Sequence, residues 1–189
     1  MPIVSTTKMT AQQFLMLGEA SPGVRLELVN GEVAASPIPV PDHSHVVIQL
    51  AVLIENHNQK HDLGELHHDV DTLLDKWNVR RPDILFFFKA RTHLIGEKAM
   101  EGPPDLAVEV ISPSSVEVDR EDKFEQYRAA GVAHYWIVDP RLRTIEAWRL
   151  DAAQYVSAGQ GRGSENVQLP PFPDLQIPLS KLWRKSSHG

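Results

Sequence analysis

The chain has no cysteine among its 189 residues, so neither a disulfide framework nor a thiolate metal site is open to it. A chain without disulfides suits a reducing compartment, and a cytoplasmic setting is the expectation. No apolar run approaches the ~20 residues of a membrane-spanning helix, so no membrane partner is expected. The first nine residues lack a basic region followed by an apolar core and do not read as a secretory signal. Basic residues are in the minority, 19 Lys and Arg against 25 Asp and Glu, for a formal net charge of −6. That argues against a passive nucleic-acid binder, which carries a basic excess. It leaves room for an enzyme that meets nucleic acid through a metal and a local basic patch. There is no internal repeat, no Walker loop, no Gly-x-Gly-x-x-Gly and no Gly-x-Ser-x-Gly elbow, which removes the common phosphate-loop, dinucleotide and serine-hydrolase signatures.

What the chain does have is apolar content, 42%, ample for the core of one domain at this length. Two short apolar runs each carry one acid: Pro82-Asp83-Ile84-Leu85-Phe86-Phe87-Phe88 and Pro104-Asp105-Leu106-Ala107-Val108-Glu109-Val110-Ile111-Ser112. Both are β-branched or aromatic, bounded by turn formers, and predicted to be buried strands. In the second, alternation puts Leu106, Val108 and Val110 on one face and Ala107, Glu109 and Ile111 on the other. Glu109 is therefore a carboxylate within an apolar strand, costly to ionise unless paired or bound to a metal. Asp83 opens the neighbouring run, where a strand end would bring it beside Glu109. A divalent cation would relieve two such acids; an ion pair with Arg80 or Arg81 would do so equally well.

The remaining pattern alternates between the two element types. Thr10-Ala11-Gln12-Gln13 fits a capping box opening a short helix to about Gly18, broken by Ser21-Pro22-Gly23. Residues 24–29 and 32–35 form a hairpin about Asn30-Gly31, with Glu27 on what reads as the solvent side. Ser36-Pro37-Ile38-Pro39-Val40-Pro41 is a loop; Asp42 is the expected N-cap of a helix to about Asn58. His43 and His45 lie too near each other at that helix start to chelate together, but His45 alone can face a cleft. Residues 65–74 read as one half-exposed strand, 89–104 as a charged connection. A helix over 119–130, capped by Ser115 or Asp119, ends at Gly131; its Lys123 shares a stripe with Tyr127 and either leans toward the second apolar strand or pairs with Asp119 four residues back. Strands are expected over 133–138, 144–150 and 154–156, a flexible loop over 159–163, and a frayed tail with Lys181, Arg184 and Lys185.

Several ordered blocks together resemble the Uma2 family, also called DUF820: Glu27-Leu28-Val29-Asn30-Gly31-Glu32 with Ser36-Pro37 and a histidine opening a helix; Arg81-Pro82-Asp83-Ile84; Pro104 to Ser114 with Glu109; and Lys123 to Tyr127 followed by Gly131-Val132 and Tyr135-Trp136-Ile137-Val138-Asp139-Pro140. The C-terminal stretch from Leu169-Pro170 to Leu182 resembles the last block. The likeness runs over about 10–183, so the whole chain, 1–189, reads as one domain. The family is placed in the PD-(D/E)xK nuclease superfamily. The resemblance implies an α/β, restriction-endonuclease-like mixed central sheet flanked by helices, with the helix from Asp119 crossing over into the strand at Tyr135. It implies a Mg²⁺- or Mn²⁺-dependent endonuclease acting on DNA, with Asp83 and Glu109 as the metal pair and Lys123, Glu27 and His45 as further active-site residues. By analogy with nucleases that cut both strands, a homodimer is expected. One departure matters. The superfamily's lysine stands two positions after the second acid, and here that position is Ile111, so Lys123 is the expected replacement. The missing strand lysine and the acidic charge leave a second reading, a nuclease-fold binding or regulatory module without activity. His134 also departs, standing where relatives more often carry an acid.

Overall fold

Burial of the second apolar run on both faces sets the architecture. In the computed structural model, which describes residues 8–17, 24–36, 39–113 and 115–184, that run is β7 (Leu106–Val110), buried at every position. The expected helix end near Gly18, the break at Ser21-Pro22-Gly23, Pro37-Ile38, Ser114 and Lys185 lie outside the described residues.

The ten strands before and around β7 divide between two sheets. β1 (Arg25–Val29), β2 (Glu32–Ser36), β4 (Thr72–Asp75) and β5 (Asn78–Arg80) form an antiparallel sheet ordered β2-β1-β5-β4. β3 (Gly64–His67), β6 (Ile84–Phe88), β7, β8 (His134–Asp139), β9 (Thr144–Asp151) and β10 (Gln154–Arg162) form a mixed sheet ordered β10-β9-β8-β7-β6-β3. β7 and β8 run parallel, as an intervening helix requires, and the other pairs in that sheet are antiparallel. β11 (Asn166–Leu169) and β12 (Phe172–Pro178) make a third, two-stranded sheet. The helices are α1 (Ala11–Leu15), α2 (Pro41–His61) and α3 (Lys123–Ala130).

Period-two alternation sorts β7 between two cores. Leu106, Val108 and Val110 join Val46, Leu50 and Ile54 of α2 and the apolar side of β12. Ala107 and Ile111 join Tyr127 of α3, Val132, Tyr135 and Ile137. The main sheet is thus covered by α2 on one face and α3 on the other, the mixed sheet flanked by helices expected from the sequence.

Several local expectations are corrected. The run over 65–74 is not one strand: β3 and β4 belong to different sheets, and the chain turns between them at Asp69, whose φ is +54°. Asp42 does not cap α2; Val40 occupies the N-cap without a side-chain bond, and Pro41 fills the first turn, where its missing N–H costs nothing. The helix before β8 begins earlier than expected, and Val118–Asp122 is a π-helical turn leading into α3. Of the glycine-rich 159–163 stretch, expected as a loop, residues 159–162 belong to β10 and only Gly163 lies in the turn that follows. Gly159 and Gly161 serve close approach: a Cβ on Gly161 would stand 2.4 Å from a methyl of Val167 on β11.

Gly161→Ala is accordingly expected to destabilise the fold by about 1–3 kcal/mol, the usual cost of overpacking. Gly102→Ala, whose Cβ would meet nothing nearer than 3.4 Å, should stay within about 0.5 kcal/mol. Urea unfolding of both variants checks this, and equal stabilities would contradict it.

Candidate active site

The antiparallel register of β6 and β7 pairs Ile84 with Val108 and Leu85 with Ala107. Carried one residue further, the same register sets Asp83 across from Glu109, so the two acids are cross-strand neighbours on one face of the sheet. Both are buried, 6% and 2% exposed. They line a cleft of about 580 Å³ bounded by the β1–β2 hairpin on one side and by Ser112, Ser115 and the π-helical turn on the other.

Each carboxylate is held by named donors. Asp83 Oδ2 receives the Val110 amide at 2.8 Å and stands 2.9 Å from His43 Nε2; its Oδ1 has Arg25 Nη1 at 3.7 Å. Glu109 Oε1 accepts the Tyr127 hydroxyl at 2.6 Å, and Oε2 faces Lys123 Nζ at 2.7 Å. The ion-pair alternative through Arg80 or Arg81 does not hold for this pair. Arg80 bonds Glu27 Oε2 at 3.0 Å and Gln126 at 2.7 Å, while Arg81 pairs with Asp71 at 2.8 Å. Glu27, expected to face solvent on pattern alone, is 4% exposed and takes the Arg81 amide on Oε1 at 2.9 Å. It lines the same cleft.

Lys123 reaches this place from the first turn of α3. The two readings of it both hold: its ammonium meets Glu109 on β7 at 2.7 Å and Asp119 Oδ1 at 3.0 Å. Ile111, in the position of the usual strand lysine, is buried among Tyr127, Val132 and Tyr135.

The electrostatics show a cluster short of positive charge. Four buried carboxylates in the cleft, Glu27, Asp83, Glu109 and Asp119, face two buried cations, Arg80 and Lys123. Burial is the largest influence on Glu109 and pushes its pKa well above the usual range; Lys123 draws it back, and Asp83 and Asp119 push it up again. Burial also works against the ammonium of Lys123, but Glu109, Asp119, Glu27 and Asp83 together outweigh it and hold the proton on more firmly than usual. One lysine shared by four acids is firmly charged, while the acid closest to it stays under-compensated. Asp83 and Glu27 end below their ordinary values. For Asp83, burial is offset by His43, Lys123 and the Val110 amide. For Glu27, burial is offset by Lys123 and Arg80.

The structure thus brings Glu27, Asp83, Glu109 and Lys123 into one cleft. His45 does not line it. His43, two residues earlier, does, and it is the histidine bonded to Asp83. The pattern argues against the two as a joint chelate and carries no sign of which is buried; their near-opposite directions from the helix let only one face the cleft. Asp119 and Tyr127 also went unassigned, although their spacing of four from Lys123 places them on its side of the helix.

The donor set fits a hard divalent cation. It is all oxygen, it carries excess negative charge, and Mg²⁺ is commonly held by only one or two carboxylates with water completing its shell. With the side chains as placed, no three His, Asp or Glu side chains among the described residues converge on one point, and Lys123 and Tyr127 hold the oxygens of Glu109. Asp83 and Glu109 are the residues that would hold the ion.

Comparison with known proteins bears on the family and the fold. The sequence model of the Uma2 family, described as "Putative restriction endonuclease", matches residues 11–180. A crystal structure of "a putative nuclease belonging to DUF820" from Anabaena variabilis aligns with a TM-score of 0.76 at 21% identity, over 92% of this chain and 97% of that one. At that identity the likeness establishes a shared fold. No curated protein matches the sequence.

The charge imbalance has a sign that can be read in solution. A carboxyl whose folded pKa is raised stabilises the fold at low pH and loses that contribution as pH climbs toward the raised value. In chelator, Glu109→Gln should therefore gain on the wild type between pH 5 and 8, by up to about 1.4 kcal/mol per pH unit. Urea melts across that range check it; a difference that does not change with pH would contradict it.

Proposed function

Because the chain belongs to the Uma2 family, we propose that it is a metal-dependent endonuclease hydrolysing phosphodiester bonds of DNA, with Asp83 and Glu109 as ligands of Mg²⁺ or Mn²⁺. The observation that carries this reading is the juxtaposition of those two buried acids on neighbouring strands, with too little positive charge around them. When bound, such an ion would lower the pKa of a coordinated water and stabilise charge on a phosphoryl oxygen.

The protein's own groups supply the rest. Lys123 delivers a fixed positive charge to the Glu109 side of the cleft, suited to neutralising charge that develops on the phosphate. The Val110 amide and His43 fix the orientation of Asp83. Tyr127, whose hydroxyl burial keeps protonated well beyond the usual range, orients Glu109 by donating to it. Glu27, tied down by Arg80 and the Arg81 amide, extends the acidic face of the cleft. His45 has no part in this site. Burial of Ile111 in the lysine's usual place favours the rival of an inactive nuclease fold, but Lys123 Nζ at 2.7 Å from Glu109 returns a lysine to the site by another route.

No described helix is long and apolar enough to cross a membrane. Nucleic acid is the partner proposed from family membership.

Plasmid and single-stranded DNA incubated with the protein and Mg²⁺ or Mn²⁺ should be cut by the wild type. Asp83→Asn and Glu109→Ala should abolish cutting, and Lys123→Gln should slow it by ~10²-fold or more. Thermal melts should show metal-dependent stabilisation in the wild type and in neither acid variant. Cleavage that survives both acid substitutions, or none with either metal, would overturn the proposal.

A further inference from the structure

Lys123 enters the cleft from a helix, so the sheet register that fixes Glu109 does nothing to fix its ammonium. That ammonium lies 2.7 Å from Glu109, the same carboxylate that the metal reading assigns as a ligand. Lysine and metal would then compete for one group. A buried ammonium displaced from its nearer carboxylate, beside a dication, would be strongly disfavoured unless a second carboxylate held it.

We propose that Asp119 is a positioning residue for Lys123, taking over the ammonium when Glu109 is engaged by a divalent cation. This rests on the metal reading of Asp83 and Glu109 above. Asp119 is a charged side chain only 1% exposed, and it is held in place before any such exchange. Its Oδ2 accepts the Ser115 hydroxyl at 2.6 Å, and its main-chain carbonyl accepts the Tyr135 hydroxyl at 2.8 Å. Its other oxygen, Oδ1, is fully buried with no aligned hydrogen-bond donor, yet lies 3.0 Å from Lys123 Nζ, within ion-pair reach. The carboxylate is thus fixed through one oxygen and keeps the second for the lysine. The π-helical turn Val118–Asp122 carries Asp119 directly before α3, closed by the Lys123 amide bonding the Val118 carbonyl. Such turns are frequent where a helix serves a site. Lys123 lies between the two acids at 2.7 and 3.0 Å, so a small displacement moves it from one to the other.

Calorimetric titration of the full chain with Mn²⁺ tests this, on the wild type, Asp119→Asn, Lys123→Gln and the double variant. Asp119→Asn should weaken Mn²⁺ binding by about tenfold, the usual effect of removing a group that supports a ligand. In the Lys123→Gln background the same substitution should change the affinity by less than about twofold, because no ammonium is left to hold. Wild-type affinity in Asp119→Asn would overturn the inference while leaving the metal site standing. So would an equal loss in both backgrounds, since that is direct attraction of Asp119 for the ion. A wild type that binds no Mn²⁺ would overturn the metal reading and this inference with it. Should Asp119→Asn fail to fold, Ser115→Ala, which releases Oδ2, carries the same test, with a loss that again depends on Lys123.

Discussion

Everything in the cleft depends on one ammonium shared among carboxylates that a hydrophobic sheet would otherwise exclude. Isolated buried charges cost several kcal/mol each. The fold tolerates Glu27, Asp83, Glu109 and Asp119 together because Lys123 lies among them and Arg80 secures Glu27. The compensation is incomplete, and Glu109 carries the deficit. A protein selected for stability alone would fill this place with apolar side chains, as it does two residues later at Ile111. An unresolved charge deficit at the meeting point of two strands, a hairpin and a helix start is the kind of stored cost that functional sites retain.

The route of the lysine explains the surrounding architecture. With Ile111 committed to the α3-side core, a lysine on β7 would have to face that core too. Delivery from α3 solves the packing problem but needs a support of its own. Ser115, Asp119 and the π-helical turn provide one, and the Arg80–Gln126 bond ties α3 back to the smaller sheet. The cleft is therefore assembled from both sheets, although β6 and β7 supply the two central acids.

The sequence made the central elements legible because their signals are strong. Asn30-Gly31 takes positive φ at both residues, +52° and +83°, and sets the β1–β2 register. The alternation in β7 divides its side chains between two cores as expected. The failures have physical causes. Glu27 looks solvent-facing because its partners, Arg80 and the Arg81 amide, lie more than fifty residues away. The choice of His43 over His45 depends on how α2 is rotated against the sheet, which the surrounding tertiary packing decides. Residues 159–162 read as a loop because glycine composition cannot tell flexibility from the close approach of Val167. Family resemblance brought Glu27 and Lys123 into the site where local pattern left them undecided, but it offered His45, which lies elsewhere.

The central claim is that a divalent cation belongs between Asp83 and Glu109. Crystals soaked in Mn²⁺ and measured for anomalous scattering test it most directly. The account predicts a peak within coordination distance of both carboxylates, with Lys123 moved off Glu109. Manganese bound elsewhere, or Lys123 still seated on Glu109 with no peak at the pair, would contradict it.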